Sequence, residues 1–266
     1  MQDELLEYYA AFDEDQRLTR QNITRIEFDT TTHVLSKYVQ GEENLTELGA
    51  ATGRYSLHYA AHGCSVTAVE LVPELVSVLV RKTEAHAFDI SIHEANATSV
   101  PFISDNSQDV VLILGPLYHI QNGDERHAVL SEANRILKPG GIVAVAYISR
   151  YFVAGLLAKM SPRFVVPSVL HELNETGLVN NKEADPFFRT GYFSTPYEME
   201  ELVTNAQFDV KEHISTDGFG RYISSEVNAL DEASYQNWLD YHLSTCHEPS
   251  LLGSSNHGLV IAQKSS

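Results

Sequence analysis

Glu47, Gly49, Ala51 and Gly53 fall within Leu45-Thr46-Glu47-Leu48-Gly49-Ala50-Ala51-Thr52-Gly53-Arg54-Tyr55, between a short strand pattern and a helix pattern. Glycine lets a chain turn sharply and lets backbone approach a ligand closely. The helix that follows points unpaired N–H groups at whatever lies over the turn. Glu70 ends the next predicted strand, where a carboxylate can accept hydrogen bonds from a ribose diol. Tyr118 and His119 follow a later apolar strand, and an imidazole there has the ordinary proton affinity of a general base. These residue types at this spacing describe a nucleotide-type site with a proton-handling group beside it.

The elements that position these residues alternate strand and helix. Residues 45–48 read as the first strand and 55–62 as a helix stopped by Gly63. Residues 65–71 form the second strand. Pro73 opens a helix with Leu75, Val76, Leu79 and Val80 as its apolar stripe. Residues 89–94 are the third strand. Residues 109–114 are almost unbroken apolar, as in a parallel strand buried on both faces. A helix over 124–137 ends at Lys138-Pro139-Gly140-Gly141, and 142–148 is the fifth strand. The pattern predicts an α/β, doubly wound Rossmann-like sheet with ligand outside the carboxyl ends of its strands. Residues 150–193 break the rhythm and read as a helical insertion after strand five. A helix over 195–206, a strand over 208–214, a helix over 231–244 and a strand over 258–263 complete seven strands, mostly parallel. Residues 1–40 carry two helix patterns and form an N-terminal helical cap or lid, with 41–266 as the main domain.

Composition limits the partners. At 266 residues the chain is long enough for one large core, and 43% hydrophobic with 20% charged residues is ordinary for a globular protein. The formal charge of −18 opposes a phosphate backbone, and the 18 Lys and Arg are scattered, so nucleic acid is not the expected partner. Cys64 and Cys246 make no disulfide framework. Residues 1–9 lack a basic, apolar leader, and the apolar stretch 141–158 is interrupted by Arg150, so neither a signal peptide nor a membrane span is expected. The expectation is a soluble cytoplasmic protein, monomeric or homodimeric.

The ordered set resembles the class I S-adenosylmethionine-dependent methyltransferases. It covers about residues 43–149 and returns more weakly over 195–264. It consists of Glu47-x-Gly49-x-Ala51-x-Gly53, Glu70 in Ala68-Val69-Glu70-Leu71, Asn96-Ala97-Thr98, Leu114-Gly115-Pro116-Leu117-Tyr118-His119 and Leu137-Lys138-Pro139-Gly140-Gly141. Ala51 stands where many members have glycine, and Asn96 where many have aspartate. Tyr8-Tyr9 and Phe12-Asp13-Glu14-Asp15-Gln16-Arg17-Leu18 look like the lid of a small-molecule subgroup. The resemblance implies that Glu47, Gly49, Ala51, Gly53, Glu70, Leu71, Asn96, Ala97 and Gly115 hold S-adenosylmethionine. Tyr8 would lie over the cation, and Arg17 or Arg20 would pair with the methionyl carboxylate. An NAD(P) domain fits less well. The turn lacks the second glycine that admits a pyrophosphate, and Glu47 would repel one.

The implied activity is transfer of a methyl group to an oxygen or nitrogen of a small-molecule acceptor, leaving S-adenosylhomocysteine. His119 is the candidate base, with Tyr118 beside it, and a histidine that only lines the pocket is the alternative. Tyr9, His119, Tyr147 and Arg150 are the candidate acceptor contacts, and the aromatics of 151–193 are either core or cavity wall. Methylation of a peptide, or cofactor binding without turnover, remain the rival functions. His58 with His62, and His242 with Cys246 and His247, have metal-like spacings but too few ligands, so no metal is expected.

Overall fold

The computed structural model describes residues 17–84 and 87–265. Its strands are β1 (Asn44–Leu48), β2 (Ser65–Glu70), β3 (Ile90–Glu94), β4 (Gln108–Ile113), β5 (Leu137–Ile148), β6 (Phe208–Ser215) and β7 (His257–Lys264). The first helices are α1 (Asn22–Leu35), α2 (Arg54–Ala61), α3 (Pro73–Thr83) and α4 (Gly123–Ile136). After β5 come α5 (Arg150–Met160), α6 (Pro167–Thr176), α7 (Pro186–Thr190) and α8 (Pro196–Asn205). Between β6 and β7 lie α9 (Ser224–Asn228), α10 (Glu232–Thr245) and α11 (Pro249–Leu252). α9 and α11, and the 3₁₀ turn Gly218–Ile223 before α9, are too short to leave a periodic signature in the sequence.

The strands form one sheet in the order β3-β2-β1-β4-β5-β7-β6. β1 pairs in parallel with both β2 and β4, and β7 runs antiparallel to both β5 and β6. The sheet is therefore Rossmann-like, seven-stranded and mostly parallel, as expected. Strand order reverses between β1 and β4, and such a reversal opens a crevice at the carboxyl ends of the two strands. Leu48 and Ile113 are fully buried, and the chain leaves them directly into the turns at Gly49 and Gly115.

Each face of the sheet has its own packing. One face joins Val111, Ile113, Val143, Val145 and Val260 to Val129, Leu130 and Ala133 of α4 and to Met199 and Val203 of α8. The other joins Leu45, Leu112, Ala144, Leu259 and Ile261 to Phe28, Val34 and Leu35 of α1 and to Tyr55 and Tyr59 of α2. The stripe of α3 is narrower than expected: Leu75 and Leu79 are buried, while Val80 is 40% exposed. Cys64 and Cys246 are both buried and free. None of the described helices is long and apolar enough to cross a membrane.

The segment after β5 packs on itself. Val153, Leu157, Phe164, Val169, Leu173, Phe188 and Phe193 form a cluster that also takes in Tyr118 and Ile148. Of the two alternatives for its aromatics, Phe164, Phe188 and Phe193 are core, while Tyr151 is 53% exposed. Arg150 ties this cluster to the sheet. It was an expected acceptor contact, but its guanidinium is 4% exposed and fully engaged. Nε donates to the Phe193 carbonyl at 3.0 Å, Nη1 to the Asn174 carbonyl at 2.7 Å, and Nη2 to Glu198 Oε2 at 2.5 Å. Glu198 also accepts from the Thr195 backbone N–H, while Thr195 Oγ1 accepts from the Glu198 N–H, so α8 begins with a reciprocal cap. A buried cation survives only when paired and hydrogen-bonded, and Arg150 meets that condition away from the crevice.

Tyr147 is a second correction. It was expected in the pocket, yet it is 1% exposed and packs in the α4/α8 layer. Its hydroxyl lies 2.8 Å from His213 Nε2, and His213 Nδ1 lies 2.6 Å from Glu200. Successive strand residues point to opposite faces. The end position of Tyr147 says nothing about its side; its pairing with Gly258 shows why the ring fits, since a Cβ at Gly258 would stand 2.3 Å from it.

Candidate functional site

A cavity of about 410 Å³ opens at the carboxyl ends of β1, β2 and β4. That volume is in the range of small-molecule and cofactor sites. Gly49, Ala50 and Ala51 wall it on one side, and Glu70, Leu71 and Val72 continue that wall. Asn96 and Ala97 follow from the loop after β3, and Leu114, Gly115, Tyr118 and His119 from the loop after β4. Sequence-distant Arg17, Leu18 and Thr190 also line it.

The turn after β1 is held as a cradle. Gly49 (φ +81°), Ala51 (φ +47°) and Gly53 (φ +81°) all lie in the left-handed region. Alanine tolerates that region poorly, so Ala51 needs a partner, and it has one: its N–H donates to Glu70 Oε2 at 2.7 Å. The Gly49 and Ala50 N–H groups donate to the Val69 carbonyl at 2.8 and 3.0 Å. A Cβ at Gly49 would lie 2.7 Å from Pro116 Cδ, so glycine is required where the turn meets the loop after β4. Gly53 does not line the cavity. It caps α2, and a Cβ there would strike Leu79 Cδ1 at 2.2 Å, so its role is to let α2 and α3 approach.

Glu70 does more than end a strand. Besides bracing Ala51, its Oε1 accepts from the N–H groups of Leu71 and Val72, both at 2.9 Å. Three backbone amides thus fix one carboxylate at the cavity wall. Asn96 is fixed likewise, its Oδ1 accepting from the Thr98 N–H and hydroxyl at 3.0 Å. Glu47 lies deeper, 2% exposed, and accepts from the Ser56 hydroxyl. Burial is the main cause that pushes its carboxyl up to about 8; hydrogen bonds from Ser56 oppose the shift and nearby Glu70 adds to it. A carboxyl raised that far holds its proton at neutral pH.

Around the loop after β4, Tyr118 donates to the Leu114 carbonyl at 3.1 Å and meets His119 edge-on at 4.6 Å. Burial, and then the charge of Arg17, lower the His119 imidazole to about 3. His119 is consequently neutral and a weak base. Arg20 is exposed and outside the cavity lining, so of the two expected carboxylate partners Arg17 is the one at the site. Tyr8 and Tyr9 lie outside the described residues.

The metal-like spacings do not converge. The His58 and His62 rings lie 4.3 Å apart, tilted by 41°, with His62 Nδ1 on the His58 carbonyl. His247 Nδ1 meets Cys246 Sγ at 3.3 Å, while its Nε2 meets Glu212. Among the described residues, three potential ligands do converge at Glu27, Asp217 and His257, with ligand atoms within 4.8 Å of one another. Nothing in their spacing along the chain could have revealed it. Two guanidiniums, Arg17 and Arg221, already occupy these carboxylates.

The donor set suits an adenosyl ligand without phosphate. It has a carboxylate for a diol, a left-handed turn for close backbone approach, and an acid rather than a second glycine near the turn. This sheet order with this crevice is the architecture of the class I, S-adenosylmethionine-type domains. Residues 46–145, from β1 into β5, match the methyltransferase-domain family. The demethylmenaquinone methyltransferase of Tropheryma whipplei is 26% identical over 62% of this chain and 64% of its own. A solved Pyrococcus horikoshii protein shares the fold, with a TM-score of 0.63, 16% identity and coverage of 97% and 99% of the two chains. So does a Burkholderia thailandensis 1,6-didemethyltoxoflavin N1-methyltransferase, solved with that compound and S-adenosylhomocysteine, with a TM-score of 0.58, 14% identity and coverage of 100% and 89%. The chain spans about half the length of curated relatives it matches, 46% of an uncharacterised Mycobacterium tuberculosis protein that is 27% identical over half of this chain.

Proposed function

We propose that this protein transfers the methyl group of S-adenosylmethionine to an oxygen or nitrogen of a small-molecule acceptor. The observation that carries the reading is the Glu70 carboxylate, pinned by three amides across from the turn at Gly49 and Ala51. S-adenosylmethionine supplies a methyl already activated by its positive sulfur, for in-line displacement. The protein has only to align, enclose and dry the reacting groups, and orientation is worth several kcal/mol. Glu70 would take the ribose hydroxyls, Asn96 and Ala97 the adenine edge, and the Gly49–Ala51 backbone the methionyl part. Glu47 would face the ammonium and Arg17 the carboxylate. A small acceptor is supported by the size of the cavity and by the small-molecule methyltransferases among the relatives. The charge of −18 argues against nucleic acid as the acceptor. A cytoplasmic location belongs to the same reading; the part of the expected 1–40 lid before Arg17 lies outside the described residues.

Tyr118 and His119 stand where the acceptor would enter. An imidazole lowered to about 3 draws a proton only from a strongly acidic acceptor. We therefore assign His119 first to hydrogen bonding and orienting the acceptor, and to proton removal only for such an acceptor. Calorimetry with S-adenosylhomocysteine and with NADH tests the ligand class, and methyl transfer to a panel of phenols and amines tests the reaction. His119→Ala should cut turnover tenfold or more while cofactor affinity stays within about twofold. Tight NADH binding without S-adenosylhomocysteine binding would end the methyltransferase reading.

A further inference from the structure

Arg17 reaches the cavity at one end of an alternating chain of buried charges. Its Nη1 donates to Glu27 Oε2 at 3.1 Å and to Oε1 at 3.4 Å. Glu27, on α1, is 6% exposed. Its Oε2 also meets His257 Nδ1 at 3.1 Å and Arg221 Nη2 at 3.4 Å. Arg221 Nε then donates to Asp217 Oδ2 at 3.0 Å, and His257 Nδ1 lies 3.2 Å from that same oxygen. Asp217 is 1% exposed and closes the chain on the main fold. Its Oδ1 accepts from the Ser255 hydroxyl at 2.6 Å and from the N–H groups of Asn256 and His257 at 2.9 and 3.2 Å.

Such a cluster is a poor way to stabilise a core, because apolar side chains of similar volume usually do as well or better. Its distinctive property is direction. Burial pushes the Glu27 carboxyl up, but Arg17, His257 and Arg221 outweigh it and hold it below its ordinary value. Glu27 is thus a fixed negative charge. Of its partners, Arg17 is the one that lines the cavity. A guanidinium grips a carboxylate best when its fork is already aimed. A flexible arginine would have to lose rotamer freedom on binding.

We propose that Glu27 is a positioning residue that aims Arg17 at the carboxylate end of S-adenosylmethionine, with Arg221, His257 and Asp217 holding Glu27 in place. This inference rests on the methyltransferase reading given above. It makes β7 and the loop after β6, which lie far from the glycine turn in sequence, part of cofactor recognition.

The test compares two ligands that share the adenosyl group. S-adenosylhomocysteine carries the amino and carboxylate groups, and 5′-methylthioadenosine lacks both. Calorimetry on the full chain should show the wild type preferring S-adenosylhomocysteine. Glu27→Gln and Arg17→Gln should each weaken S-adenosylhomocysteine by about tenfold, the equivalent of 1.4 kcal/mol, and change 5′-methylthioadenosine by less than about twofold. Glu27→Asp should recover part of the preference. The double variant Arg17→Gln/Glu27→Gln should be no worse than Arg17→Gln alone, which a merely structural Glu27 would not produce. Arg221→Gln, further from the cavity, provides the same comparison should Glu27→Gln not fold, with a smaller expected loss confined to S-adenosylhomocysteine. Equal weakening of both ligands, or an unchanged preference, overturns the positioning role while the methyltransferase reading stands. A wild type that binds neither ligand overturns both.

Discussion

At the carboxyl ends of β1 and β2 the cavity wall comes from two short stretches of sequence: the backbone of Gly49 and Ala51, and a Glu70 carboxylate held by main-chain amides. Beyond the carboxyl end of β5 the construction is reversed. There, long charged side chains from distant segments hold one another, as Arg150 does with Glu198 and as Glu27 does with Arg17, Arg221 and His257. The first region places polar groups where a ligand can meet them. The second turns its charges inward and uses them to hold elements together, with Arg17 joining the two. The difference shows that a charged residue at the rim of an α/β sheet is not evidence of a ligand contact until its partners are known.

Three experiments break or sharpen that contrast. The largest effect is expected at Arg150. Arg150→Ala takes from two carbonyls and from Glu198 the guanidinium that donates to them and should destabilise the fold by about 3 kcal/mol. Thermal melting should register this, with S-adenosylhomocysteine affinity unchanged within about twofold; a folded variant with lost affinity would show that the second region contacts ligand after all. Next is Glu70→Gln, which keeps the size of the side chain and removes its charge. Losing charge-assisted hydrogen bonds worth about 1.5–3 kcal/mol should weaken S-adenosylhomocysteine by roughly 10–100-fold. Calorimetry decides this, and unchanged affinity would mean that Glu70 only braces the turn.

The smallest effect concerns pH and Glu47. Its folded carboxyl titrates near 8, well above its ordinary value, so the folded chain keeps a proton that the unfolded chain has lost between about pH 4.5 and 8. The stability this proton contributes is complete below pH 4.5 and is lost as pH rises through 8. A cationic ligand facing Glu47 reverses the preference and must expel the proton. S-adenosylmethionine affinity should therefore fall as pH drops from 8 to 6, by at most about tenfold per unit. Glu47→Gln should flatten that profile and should melt higher than wild type at pH 8. A wild-type profile that is flat from pH 6 to 8 would remove Glu47 from the ammonium.

What was legible in the sequence follows the same division. The run from Leu45 to Gly53, the acid at Glu70 and the turns at Asn96 and Gly115 could be read because each depends on a strand, a turn and a local backbone need. The sheet was legible for the same reason, since alternating strand and helix patterns admit few topologies. Tyr147 was expected at the cavity and lies elsewhere because strand position does not specify which face a side chain takes, and Arg150, expected there too, begins α5 and is held by Phe193, Asn174 and Glu198. Glu27, Asp217, Arg221 and His257 left no local trace. Arg221 meets Glu27 across 194 residues, and only the finished sheet brings them together. Arg17 was named without the residue that holds it.

β7 lies between β5 and β6 although it is the last strand of the chain. Domains generally form from the amino end as synthesis proceeds. The crevice between β1 and β4 can take shape while a ribosome is still adding the later strands, but β6 has no neighbour in the sheet until residues 257–264 emerge. His257 arrives with them, so a partner that steadies Glu27 on α1 is delivered only after the strands of the crevice have been made. A nascent chain stalled before that point would carry a recognisable nucleoside cradle without the support that finishes it.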